Sequence, residues 1–140
     1  MKIKEVSTEA AIRETWEVMH LLRPHLEEAG YTNLVMKMMQ EGYRMAYVEE
    51  DGKAVSVIGF RYLQFLFNGK HIYIDDLSTL EAYRGKGYGN MLLDYVHALA
   101  KKDACTAVTL DSGTHRHDAH RLYMKKGYII QGYHFSKKLP

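Results

Sequence analysis

IYIDDLSTLEAYRGKGYGNMLLDYVHALA, residues Ile72 to Ala100, changes character twice along its length. From Ile72 to Leu80, β-branched and aromatic residues dominate, which predicts a strand. The chain then breaks into Tyr83-Arg84-Gly85-Lys86-Gly87-Tyr88-Gly89. Beyond it, Met91, Leu92, Tyr95, Val96 and Leu99 recur at helical spacing, so a helix of about a dozen residues follows. A strand, a glycine-rich turn and a helix in that order make a pocket for an anion. Glycine lets the backbone approach a ligand closely, and the first N–H groups of a helix have no partners within it. The helix dipole adds partial positive charge at the same point. Arg84 and Lys86 add two full charges, so phosphate is the ligand this stretch suits.

Two common phosphate loops do not fit. A Walker A loop places Ser or Thr after Gly-Lys, and Lys86 is followed by Gly87. A dinucleotide fingerprint needs a third glycine where Asn90 or Leu92 stands, and no second βαβ strand ends on a suitable acid. The match is Arg84-Gly85-Lys86-Gly87-Tyr88-Gly89, read as (Arg/Gln)-x-x-Gly-x-(Gly/Ala). It resembles the acetyl-CoA pyrophosphate loop of the GNAT superfamily of N-acetyltransferases.

The rest of the chain is read around that unit. At 140 residues and 46% hydrophobic, it predicts a single globular domain over residues 1–140. A net charge of +2 is too mild for a nucleic-acid partner. No apolar run approaches membrane-spanning length, so no membrane partner is expected. The one cysteine, Cys105, excludes an internal disulfide framework and suits a reducing, cytoplasmic setting.

Lys2 to Val6 predicts a first strand. Ser7 or Thr8 then caps a helix with Ile12, Trp16, Met19 and Leu22 on one face, ended or kinked by Pro24. Tyr31 to Glu41 predicts a second helix. The methionines around it (Met36, Met38, Met39, Met45) read first as core filler, with an adaptable cleft wall as the alternative. Strands follow over Tyr43–Glu49 and Ala54–Phe67, joined by a turn at Asp51-Gly52, and Gly59 marks a bulge. Asn68-Gly69 turns the chain into the strand that leads to the glycine loop. After the helix, Cys105 to Leu110 predicts a buried strand parallel to Ile72–Leu80, because a helical crossover joins them. Asp118 to Lys126 predicts a short helix, and Tyr128–Gln131 and Tyr133–Lys138 two final strands.

This order is also that of the GNAT fold. The fold class expected is α/β (α+β): a mixed, mostly antiparallel sheet of about seven strands flanked by about four helices. A second motif lies in Ala119-His120-Arg121-Leu122-Tyr123-Met124-Lys125-Lys126-Gly127-Tyr128, similar to the family's Ala-x-x-(Leu/Phe)-Tyr-x-x-x-Gly-(Phe/Tyr). The resemblance implies that Tyr123 reaches the sulfur of coenzyme A and protonates the departing thiolate. Seven residues earlier the chain has Arg116 where many relatives carry Asn. The stretch Arg116–Tyr123 and the ending Tyr133–Leu139 are also similar to aminoalkylphosphonate N-acetyltransferases.

The resemblance implies acetyl-CoA as co-substrate and a small-molecule amine as acceptor. It implies cofactor contacts at Leu77, Ser78, Thr79, Arg84, Gly85, Lys86, Gly87, Tyr88, Gly89, Asn90, Arg116 and Tyr123. The amine must lose a proton to attack, and a carboxylate is the expected acceptor. Asp75 and Asp76 are the candidates, and strand alternation lets one of them face the cleft. The family places an acid eight residues before the loop arginine, which selects Asp76. A backbone N–H of Leu77 or Thr79 is expected to polarise the acetyl carbonyl, and the resemblance implies that these strand positions pair with pantetheine. Acetylation of a protein or peptide, and a coenzyme A-binding module without turnover, stay open as alternatives, as does a homodimer. His115, His117 and His120 invite a metal, but no thiolate pair or H-E-x-x-H pattern accompanies them, so a cleft-lining or solvated role is preferred.

Overall fold

The computed structural model describes residues 2–140. They form two compact units, one ending at Leu110 and the other running from Asp111 to Pro140, and each is described by itself.

The first unit holds a five-stranded sheet in the order β1-β2-β3-β4-β5. Its strands are β1 (Lys2–Glu5), β2 (Arg44–Glu50), β3 (Lys53–Phe65), β4 (Gly69–Thr79) and β5 (Ala107–Leu110). The first four pair antiparallel, and β5 runs parallel to β4. The parallel step follows from the crossover through α4 (Tyr88–Lys102), since a parallel neighbour cannot be reached by a hairpin. Phe60, Ile72, Leu92, Leu93 and Val96 are fully buried, so α4 covers its apolar face.

The expected first helix is two helices, α1 (Glu9–Glu14) and α2 (Trp16–Leu22). Thr8 caps α1 by accepting from the Ala11 N–H at 3.1 Å. Thr15 makes the break: its hydroxyl donates back to the Ile12 carbonyl at 2.6 Å and lies 2.7 Å from the Tyr31 hydroxyl. A threonine bonded to its own preceding turn bends or ends a helix. Arg23, which precedes Pro24, leaves the helical region at φ −122° and ψ 71°, closing α2. Next comes α3 (Glu28–Gln40), which begins three residues before the expected Tyr31. Met45 is fully buried and Met38 and Met39 pack on the core, while Met36 is exposed.

The second unit contains α5 (His117–Lys125). Its end explains the glycine of the second motif. Gly127 adopts φ +89°, its N–H bonds the Met124 carbonyl at 3.1 Å, and the Tyr128 N–H bonds the Tyr123 carbonyl at 3.0 Å. That pair of bonds closes a helix through a left-handed residue. The two strands expected over Tyr128–Gln131 and Tyr133–Lys138 are not formed; residues 128–140 have no helix or strand. Their apolar side chains, Ile129, Ile130, Tyr133 and Phe135, are exposed. Such short segments lack a ladder partner here, and a strand without one is not stable. Among the described residues the sheet therefore has five strands rather than about seven, in the expected α+β class.

Candidate active site

The geometry of the site begins with a bulge. Gly59 pairs with Asp76 and the next residue, Phe60, with Ile74, so Asp75 is an extra residue in β4. A bulge bends its strand and re-aims its side chains. On the other side, β4 pairs with β5 over His71–Ile74 and stops there. From Asp75 to Thr79 that edge of β4 has no strand neighbour among the described residues. The Leu80 N–H donates to the Val55 carbonyl of β3 at 2.9 Å. Backbone groups alternate sides along a strand, so Leu77 and Thr79 turn theirs away from β3, to the open edge. The Thr79 carbonyl accepts from Arg84 Nε at 3.2 Å, consistent with that direction. Leu77 and Ser78 bury their side chains, leaving the backbone as the group on offer.

The open edge leads, through a 3₁₀ turn at Glu81–Tyr83, into the glycine loop. Gly85 and Gly87 sit at φ +80° and +85°, and a Cβ added at either would meet no protein atom within 4 Å. The loop backbone is therefore bare, with space in front of it. Met91 is the first residue of α4 to find an acceptor behind it, the Gly87 carbonyl at 3.0 Å. The N–H groups of Tyr88, Gly89 and Asn90 have no acceptor within the helix. Arg84 and Lys86 are about half exposed beside them, at 57% and 49%. These donors and charges fit a pyrophosphate. The Tyr88 side chain points the other way: it is buried, and its hydroxyl donates to Glu50 at 2.7 Å. Only its backbone faces the loop.

Asp76 sits in a network that the sequence does not reveal. Arg23 Nε donates to its Oδ1 at 3.0 Å, and the Tyr43 hydroxyl donates to its Oδ2 at 2.7 Å. Burial, and then the negative charge of Asp76, push the Tyr43 phenol well above the usual tyrosine range. Asp75 takes a different partner: Arg61 grips its carboxylate through Nε and Nη2, at 3.1 and 2.8 Å. Burial raises the Asp75 carboxyl above its ordinary value, and Arg61 opposes that rise. Gly59 marked the place of the bulge, although the extra residue is Asp75 of the partner strand. Tyr43, Arg23 and Arg61 carried no local signal, because they lie 33, 53 and 14 residues from the acids they bind.

In the second unit, Tyr123 is buried, with its ring centroid 5.8 Å from that of Tyr128. Burial lifts its phenol above the ordinary value, and the charge of Arg116 opposes this. Arg116 caps the start of α5 by position. His120 Nε2 lies 3.0 Å from Ser112 Oγ, and the rings of His117 and His120 meet edge to face at 6.2 Å.

The chain's relatives place it in a family. The model of the acetyltransferase (GNAT) family matches residues 9–128. The uncharacterized N-acetyltransferase YhdJ of Bacillus subtilis (strain 168) is 34% identical over 137 residues, covering 96% of this chain and 96% of that protein. The aminoalkylphosphonate N-acetyltransferase of Salmonella typhimurium is 30% identical over 98 residues, 69% of this chain and 62% of that protein. Among solved structures, the aminoglycoside 6'-N-acetyltransferase of Acinetobacter haemolyticus covers 100% of both chains with a TM-score of 0.78 at 19% identity, a likeness of fold. A glycine loop on α4, an open β4 edge and these matches lead to one conclusion: the chain belongs to the acetyltransferase (GNAT) family, enzymes whose co-substrate is acetyl-CoA.

Proposed function

We propose that the protein transfers the acetyl group of acetyl-CoA to the primary amine of a small molecule, by direct attack within a ternary complex. The observation that carries this reading is the unpaired β4 edge from Asp75 to Thr79, which runs straight into the bare glycine loop. The edge takes pantetheine as a further strand, through Leu77, Ser78 and Thr79. The loop takes the pyrophosphate, through Arg84, Gly85, Lys86, Gly87 and the N–H groups of Tyr88, Gly89 and Asn90. Arg116 is a further cofactor contact.

The chemistry then needs three things. A backbone N–H of the open edge polarises the acetyl carbonyl and holds the developing oxyanion. Asp76 accepts the proton that the amine sheds, directly or through a water. Its Oδ2 keeps a lone pair beyond the one that Tyr43 occupies, since each carboxylate oxygen has two. Tyr123 returns a proton to the thiolate as the carbon–sulfur bond breaks, and its raised phenol is protonated at neutral pH. The amine nitrogen gains the acyl bond and coenzyme A leaves as the thiol.

A small acceptor is favoured by the relative named for aminoalkylphosphonates, and the lone cysteine favours a cytoplasmic setting. The test is a Tyr123→Phe variant assayed for binding and turnover separately. Retained coenzyme A affinity with turnover lowered about 100-fold or more supports the acid role. Unchanged turnover removes it.

A further inference from the structure

Glu50 and Asp51 have no place in the roles assigned above, yet both reach the glycine loop, Glu50 from the last position of β2 and Asp51 from the turn that follows it. The Tyr83 hydroxyl donates to Asp51 Oδ2 at 2.9 Å. The Tyr88 hydroxyl donates to Glu50 Oε2 at 2.7 Å, and Lys86 Nζ lies 3.7 Å from the same oxygen. Tyr83 and Tyr88 bracket Arg84–Gly87, so one hairpin turn holds the loop at both ends. That turn is itself stiff: Asp51 and Gly52 have φ values of 53° and 75°, the pair of left-handed residues that matches the twist of a two-residue hairpin. Lys53 and Lys86 both lie over the Tyr83 ring, 5.7 and 5.0 Å from its centroid. The loop has the opposite character. Two glycines at positive φ give it little intrinsic order, and an anion gains most from donors fixed before it arrives.

We propose that Glu50 is a positioning residue of the cofactor site: through the Tyr88 hydroxyl it fixes the first residue of α4, and with it the N–H groups that meet phosphate. Asp51 does the same, through Tyr83, at the other end of the loop. The inference rests on the reading of Arg84–Gly89 as the pyrophosphate site. Both acids act through protein side chains, not as assigned cofactor contacts. Glu50 also pairs with Lys86 of the loop at 3.7 Å, but the lysine is about half exposed and the hydroxyl bond to a buried ring is the stronger constraint.

The test is calorimetric titration of coenzyme A into the parent chain and the variants Glu50→Gln, Glu50→Ala, Tyr88→Phe and Glu50→Ala/Tyr88→Phe, with melting temperatures taken on the same samples. Glu50→Ala and Tyr88→Phe should each weaken binding about tenfold, and the double variant no more than either alone, because they cut one link. Glu50→Gln, whose amide oxygen still accepts from Tyr88, should stay within about threefold of the parent. A lowered melting temperature with unchanged affinity in the folded protein would overturn the proposal, as would additive losses in the double variant. If Glu50→Ala does not fold, Tyr88→Phe decides alone. A parent chain that binds no coenzyme A would instead reject the pyrophosphate reading, and this inference with it.

Discussion

The Tyr43 hydroxyl donates to the Asp76 carboxylate at 2.7 Å, across a gap that exists because residue 59 is glycine. A Cβ at Gly59 would stand 1.9 Å from the Tyr43 oxygen and 2.8 Å from Asp76 Oδ2. Tyr43 is 3% exposed and cannot swing aside, so the clash must be taken up by the strands. Gly59→Ala should therefore cost about 1–3 kcal/mol of stability, read as a lower urea midpoint. An unchanged midpoint would show that the network is loose.

A methyl group at Gly87 should act differently. Nothing in the protein stands within 4 Å of its Cβ position, so the folded chain pays only for the left-handed backbone, about 1–2 kcal/mol. The phosphate reading puts the ligand in that space. Gly87→Ala should thus lower coenzyme A affinity by well over the tenfold that one unit of 1.4 kcal/mol represents. Equal affinity in the folded variant would place the phosphate elsewhere.

How far was this molecule legible before its structure? The strand, loop and helix of Ile72–Ala100 were, because period, punctuation and charge agreed there. So were the hairpin at Asp51-Gly52 and the parallel placing of β5; the next hairpin forms too, but its turn is Leu66–Asn68 and Gly69 already pairs with Phe65, so β3 ends two residues before the expected Phe67. The break at Thr15 was not: its hydroxyl bonds back to Ile12 and also meets the Tyr31 hydroxyl, which comes into reach only when α3 folds back. Nor was the surrounding of Asp76. Its arginine lies 53 residues earlier, just past the end of α2, and no periodicity brings the two together. The end of the chain misled for the opposite reason. Residues 128–140 have strand-like composition, but a strand is made by its neighbour as much as by its own residues.

The state of Tyr123 makes a pH prediction. Burial raises its phenol above the ordinary value near 10, so the neutral acid persists wherever an exposed tyrosine would still be protonated. The ratio of turnover between the parent and Tyr123→Phe should stay constant from about pH 7 to about pH 9.5. A ratio that collapses toward one inside that window would mean that the phenol ionises there and cannot be the acid.

The open edge predicts a pattern of amide exchange. With no strand beside them, the Leu77 and Thr79 amides should exchange faster than that of Ser78, which faces β3. Saturating coenzyme A should slow both several-fold and leave Ser78 nearly unchanged. Protection that appears on Ser78 instead would contradict the direction assigned to the edge.

Acetyl transfer to a small amine releases the coenzyme A thiol, so thiol release from acetyl-CoA is the first thing to measure. The panel should hold aminoalkylphosphonates, polyamines, amino acids and a short peptide, with Tyr123→Phe run beside the parent. Amine-dependent thiol release is expected with at least one small amine, and should be lost in the variant. Turnover with the peptide alone, or none with any amine while coenzyme A binds, would contradict it.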